Sequence, residues 1–236
     1  MDFPSLLLTG LLFQGAPATP NITPELRGDI MMARKMYREA IDYYKPETNT
    51  SAVLANKTGI AYQQLSEFAS ARRYYEKSIK INPKYAEAIN NLGTVFYAQK
   101  SYRRAVEQYR KALRLEPQSA SFLSNLGTVY FARKNYNEAL LAYQQALALD
   151  ADIFEHHNSV GTTLQDQSVE EKAKLHYFVA KTYAKAGTND RALQYIRKAL
   201  EEGFKDREKF LKEPEFAALQ EDPEFKLMMA QEQKVL

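Results

Sequence analysis

Cysteine and tryptophan are absent from this chain, and histidine occurs only three times in 236 residues. The lack of cysteine rules out disulfides, thiolate metal sites, a cysteine nucleophile and a lipid-modified N-terminal cysteine. The histidines are His156, His157 and His176. Neighbours on a helix project about 100° apart, whereas two ligands to one ion need i, i+4 spacing, so the adjacent pair makes no metal site. No carboxylate motif joins His176. Phosphate loops, dinucleotide fingerprints and nucleophile motifs are missing as well. The sequence therefore predicts no enzyme, no cofactor, no metal and no small-molecule substrate. Net charge is also low: at +3 it is too small to imply nucleic acid by itself, and none is expected.

Long apolar runs are scarce. The one at the start, Leu6 to Phe13, is too short to span a bilayer. Followed by Ala16-Pro17-Ala18, it has the apolar core and small-residue cleavage site of a secretory leader over residues 1–20. Asp2 stands where such a leader carries Lys or Arg. Two readings stay open: export to the periplasm, or a tail on a cytoplasmic protein. A true start upstream of Met1 would also account for the missing basic residues.

What the chain does have is a period. Gly59, Gly93, Gly127 and Gly161 stand 34 residues apart, each inside a helical pattern. A glycine inside a helix costs about 1 kcal/mol relative to alanine, so its regular recurrence needs a reason. Repeated close helix–helix contact supplies one, and a fixed period of this size marks a solenoid. Aligned on the glycines, the units are 52–85, 86–119 and 120–153. Asn90 to Pro117 reads NNLGTVFYAQKSYRRAVEQYRKALRLEP, and Ser124 to Asp150 reads SNLGTVYFARKNYNEALLAYQQALALD. Each unit divides into two helices about a polar turn. Leu92 and Phe96 on the first, and Ala105, Tyr109 and Ala112 on the second, give apolar stripes at i, i+4 and i+7. Small residues (Gly93, Ala105) let the paired helices approach, while Tyr109 and Phe96 fill the space between layers. Pro83 and Pro117 close the second helices.

These small, aromatic and proline slots resemble the tetratricopeptide repeat, a helix–turn–helix unit. The wording of the second and third units is similar to the repeats of O-linked N-acetylglucosamine transferases, without a catalytic domain after them. The resemblance implies an all-α, right-handed solenoid of about five repeats over residues 21–203, with its core at 52–153 and an irregular stretch near 154–172. Upstream, Gly28, Tyr37, Ala40 and Tyr44 read as a shortened first repeat cut by Pro46. Downstream, Asp166 to Glu171 breaks the pattern, which resumes with Ala180, Tyr183, Ala192, Ile196 and Ala199. Residues 204–236 read as a helical cap, with Phe216 and Phe225 each following a Pro-Glu pair and covering the apolar end of the last repeat.

The resemblance also implies a concave groove lined by the first helices. Counting from the start of each unit, offsets 5, 9 and 12 share one helix face, with offset 6 beside it. These slots hold Asn56, Asn90, Asn91, Thr94, Tyr97, Asn125, Thr128, Phe131, Asn158 and Thr162. An asparagine both donates and accepts, so a row of them can pair with a peptide backbone of any sequence. The transferase repeats are similar in carrying an asparagine ladder at offset 6. The same asparagines could equally hydrogen-bond between neighbouring repeats. The expected function is that of a scaffold or adaptor holding an unknown protein or peptide partner. A self-associating assembly module, and hence a homo-oligomer, is the alternative. A third reading rests on the basic residues of the second helices: Arg72, Arg73, Lys77, Lys80, Arg103, Arg104, Arg110, Lys111 and Arg114. They are either an ordinary solvated face or a surface for nucleic acid or an acidic membrane.

Overall fold

The computed structural model describes residues 22–155 and 168–230, and among these every regular element is helical. The leader, Gly161, His156, His157 and the candidate residues Asn158 and Thr162 lie outside the described residues. Helices pair in sequence: α1 (Pro24–Ala33) with α2 (Tyr37–Tyr44), α3 (Ala52–Gln64) with α4 (Phe68–Ile81), α5 (Ala86–Ala98) with α6 (Tyr102–Leu115), and α7 (Ala120–Ala132) with α8 (Tyr136–Leu149). After the undescribed stretch come α9 (Val169–Lys185) and α10 (Asn189–Glu201). Pro46 ends the first pair in a short 3-10 turn, Lys45–Glu47.

Each pair is held by one recurring contact. The ring of Tyr44, Tyr75, Tyr109 or Tyr143 on the second helix lies flat against Gly28, Gly59, Gly93 or Gly127 on the first. At Gly93 a Cβ would stand 2.7 Å from Cε1 of Tyr109, closer than any real contact. Glycine is required here by approach, not by backbone conformation. In the last pair both slots change together, to Ala180 and Ile196, each fully buried. A narrower side chain there leaves room for the methyl group.

The turn inside each pair is built the same way. Lys35, Ser66, Lys100 and Lys134 take the left-handed conformation, with φ between 55° and 63°. The chain then reverses through bonds such as Ser101 N–H to Phe96 O (2.8 Å) and Asn135 N–H to Tyr130 O (2.9 Å), a Schellman-type closure. Among the described hairpins, only the last places glycine, Gly187, in this slot.

The segment Asp166–Glu171, expected as a break, also contains a start. Ser168 and Glu171 form a reciprocal capping box that opens the 17-residue α9. The described part of the expected cap is divided into three short elements. It comprises α11 (Glu208–Lys212), a 3-10 segment (Pro214–Leu219) and α12 (Pro223–Ala230). Phe216 packs on Tyr177 of α9 and on Phe210, while α12 sits against α10, where Arg197 pairs with Glu224. Tyr177 donates to Glu213, and Lys181 bridges Glu213 (2.9 Å) and Glu215 (3.4 Å). By repeat register Tyr177 and Lys181 hold offsets 5 and 9 of the last repeat. The chain's own C-terminal segment therefore covers the concave positions there.

Candidate functional site: the concave face of the central repeats

Helices α3, α5 and α7 line an open cavity of ≈ 770 Å³. Its wall includes Asn90, Asn91, Thr94, Tyr97, Asn125 and Thr128, together with Ile60, Gln63, Glu87 and Ser121. Of the predicted residues within the described segments, six line the cavity and two do not. Asn56 is 1% exposed and sits between repeats; Phe131 is 5% exposed. The Phe131 ring meets Tyr136 and Phe178 edge-on and so belongs to the junction of α7, α8 and α9. Phe178, arriving from a repeat that is out of register with the earlier ones, covers it. Glu87 and Ser121 stand at offset 2, which the same i, i+3, i+7 face predicts once it is extended one turn toward the helix start.

A directional ladder organises the asparagines. In the second, third and fourth repeats the offset-6 residue donates to the offset-5 residue of the repeat before it. Asn91 Nδ2 donates to Asn56 Oδ1 (3.1 Å), and Asn125 Nδ2 donates to Asn90 Oδ1 (3.0 Å). Lys57 does the same toward Glu25 (2.7 Å), and also reaches Asp29 (2.8 Å). Inter-repeat pairing is thus what these side chains do in the free molecule. Asn90 Nδ2 adds a bond to Asn91 Oδ1 (3.3 Å). Asn56 Nδ2 donates to Glu87 Oε1 (3.1 Å).

Pairing does not exhaust them. Each asparagine amide carries two N–H donors and one acceptor oxygen. Asn125 uses one N–H and leaves its Oδ1 open; Asn91 likewise retains an N–H. Both are half-buried, with their outer edges facing the cavity. The threonines are committed: Tyr109 and Tyr143 donate their hydroxyls to Thr94 and Thr128 (3.2 Å each). In the second repeat Ile60 replaces threonine, and Tyr75 turns instead to Gln63 (2.9 Å). Burial pushes the phenols of Tyr109 and Tyr143 well above their usual range, so they remain neutral donors.

Among the described residues no cation lines the cavity, and the charged lining residues are Glu87 and Asp150. At its N-terminal side Lys57 is neutralised by its two carboxylates. Burial alone would raise Asp29, but the bonds from Lys57 and Tyr44 outweigh it and hold the carboxyl below its usual value. No group of three or more His, Asp or Glu residues among those described could hold a metal ion. His176 does have a carboxylate neighbour that its sequence surroundings did not reveal, Glu202 at 2.8 Å from Nδ1. No helix of the described residues is long and apolar enough to cross a membrane.

Comparison with known proteins bears on this geometry. Residues 56–102 and 90–153 match one tetratricopeptide-repeat family model, and 173–202 match another. A crystal structure of MamA superposes with a TM-score of 0.52 at 20% identity, over 77% of this chain and 96% of that one. MamA from Desulfovibrio magneticus RS-1 gives 0.53 at 19% identity, over 75% of this chain and 92% of that one. YrrB, described as a TPR protein with an unusual peptide-binding site, gives 0.50 at 16% identity, over 78% and 86%. No curated protein matches by sequence.

Proposed function

Since this chain belongs to the tetratricopeptide repeat family, we propose that it is a non-catalytic scaffold whose central concave groove holds an extended segment of a partner protein. One observation carries the reading. The groove presents amide groups repeat by repeat, at Asn91 and Asn125, with hydrogen-bonding capacity left over after the ladder is satisfied. Such groups suit a peptide main chain, whose donors and acceptors also recur at a fixed rise. Tyr97 and Ile60 offer apolar contact beside them, and aromatic anchors commonly dominate such interfaces. The peptide-binding site named for YrrB is consistent with this use of the fold. With Glu87 among its described lining residues and no described cation, the groove favours a neutral or basic segment over an acidic one.

Selection from a random peptide display library provides the test. Peptides enriched on the wild type, made synthetically and labelled, should bind it in fluorescence polarisation. They should bind the Asn91→Ala/Tyr97→Ala variant about tenfold or more weakly, with unchanged helicity. Equal affinity for the two proteins would overturn the groove assignment.

A second reading, self-association, draws on α8. Its outer face exposes Leu141 and Leu149 and carries a single charge, Glu138. Sedimentation velocity across a concentration series decides it: a Leu141→Ser variant should lose any dimer that the wild type forms.

A further inference from the structure

Opposite the groove, the outer helices of the second and third repeats differ from the other described ones. Helices α4 and α6 carry nine basic residues and two acidic ones, Glu76 and Glu107. This local excess of seven is larger than the +3 of the whole chain, so the remainder is net acidic. The charge is segregated, not scattered. On the last described outer helix the bases meet carboxylates: Arg191 pairs with Asp152 and Glu155, and Arg197 with Glu224. On α4 and α6 the single described ion pair is Arg72–Glu76 (2.7 Å). Neutral contacts occupy others, Lys77 with Thr48 and Arg110 with Tyr130. Arg73, Lys80, Arg103 and Arg114 are exposed on this face.

The cations are also drawn together across the repeat boundary. Arg72 of α4 and Arg104 of α6 both lie over the buried ring of Phe96, at 5.4 and 4.5 Å from its centroid. The ring face attracts both guanidinium groups and so offsets part of their mutual repulsion. Crowding is evident at Lys77, where burial and then the charge of Arg73 lower the ammonium below its usual value.

The same helices expose aliphatic side chains in register. Ile81 and Leu115 end α4 and α6, and both are exposed; Leu149 continues the row on α8. Each of the first two follows a lysine by one helical turn, Lys77 and Lys111, and directly follows a cation, Lys80 and Arg114. Cations interleaved with exposed aliphatic groups along one edge match the headgroup and upper acyl layers of an anionic bilayer. A nucleic acid offers nothing to Ile81 or Leu115, and base stacking needs free rings. The rings here are engaged: Tyr75 and Tyr109 are buried, and Tyr74 stacks on Tyr62 beneath Lys77.

We infer that the convex face of α4 and α6 docks on anionic phospholipid membranes, its arginines and lysines contacting headgroup phosphates while Ile81 and Leu115 enter the interface. The groove faces the other way and stays open to a partner, so this inference does not depend on the groove's ligand.

Co-sedimentation with phosphatidylcholine vesicles, with and without phosphatidylserine, tests it. Wild type should pellet with the phosphatidylserine vesicles and remain in the supernatant with phosphatidylcholine alone. Raising the salt should weaken the association. The variant R73Q/K80Q/R103Q/R114Q should lose about tenfold or more in partitioning. R73K/R103K/R114K, which keeps the charge, should retain it, and circular dichroism checks that both variants fold. I81S/L115S should weaken binding several-fold without changing the salt dependence. Equal pelleting with neutral vesicles, or an unaffected glutamine variant, would overturn the inference. So would an unaffected I81S/L115S, or gel retardation of duplex DNA by a protein that leaves phosphatidylserine vesicles unbound.

Discussion

The backbone of Gly127 touches the ring of Tyr143 so closely that a Cβ on the glycine would lie 2.6 Å from both Cδ1 and Cε1. The tyrosine cannot retreat easily, because it is fully buried and its hydroxyl donates to Thr128. Alanine at 127 gains about 1 kcal/mol of helix propensity but meets an overpacking cost of about 1–3 kcal/mol. Gly127→Ala is therefore expected to lower stability by about 1 kcal/mol in urea denaturation. Adding Tyr143→Ile, the combination found at Ala180 and Ile196, should recover part of the loss. A more stable single variant would contradict the packing account.

Lys134 sits at φ 63°, a conformation that costs a side-chain-bearing residue about 1–2 kcal/mol. Lys134→Gly should raise stability by about 0.5 kcal/mol, after the greater flexibility of glycine in the unfolded chain is deducted. Arg133→Gly, one residue earlier at φ −84°, has no such strain to relieve and should be destabilising. Thermal melts of the two variants should move in opposite directions.

Asn90 is the hub of the ladder, accepting from Asn125 and donating to Asn91 while 6% exposed. Asn90→Ala leaves a donor of Asn125 and an acceptor of Asn91 without their partner, at a cost of about 1–3 kcal/mol. Because the bond crosses a repeat boundary, native-state hydrogen exchange should accelerate in both α5 and α7. Exchange confined to α5 would mean that the ladder does not couple repeats.

Tyr97 and Phe131 occupy the same slot in successive repeats but should respond differently to truncation. Phe131→Ala removes a buried ring from a three-ring cluster, and a loss of about 3–5 kcal/mol is expected. Tyr97→Ala, at a half-buried groove position, should weaken binding of display-selected peptides with a smaller change in melting temperature. Measuring both properties on both variants separates the roles.

Burial holds His176 below its ordinary value of 6.5, against the opposing pull of Glu202, and Lys198 and Lys172 add to the depression. The unfolded chain therefore binds the proton more readily than the folded one does. Stability from this group is fully present above pH of about 6.5 and is lost as the pH falls below that value. Urea midpoints should decline from neutrality toward pH of about 5.5, a range in which ordinary carboxylates stay ionised. His176→Gln should flatten that decline.

The glycine period and the tyrosine slots were legible because repetition multiplies a weak signal, but Tyr109 was expected between layers and lies instead on Gly93 of its own pair. One helical glycine is ambiguous, but several at one period imply repeated close helix–helix contact. The concave face was legible for the same reason, and Asn90, Asn91, Thr94, Tyr97, Asn125 and Thr128 all line the cavity. Asn56 and Phe131 escaped because periodicity assigns a face but not its exposure. What covers a face depends on neighbours in space. Glu87 and Tyr85 cover Asn56, whereas Phe178 covers Phe131.

The sequence by itself determined the repeat, the helix pairing and the segregation of positive charge onto α4 and α6, because all three follow from local spacing and composition. Only the tertiary structure decided which way the asparagines point. The offset-6 amide of one repeat reaches the offset-5 group of the repeat before it, a contact set by how the layers stack. It also decided that the segment Glu213–Leu219 lies on the concave positions of the last repeat, through Lys181 and Tyr177. No local pattern encodes that contact, since it joins residues brought together only when the chain turns back on its own end.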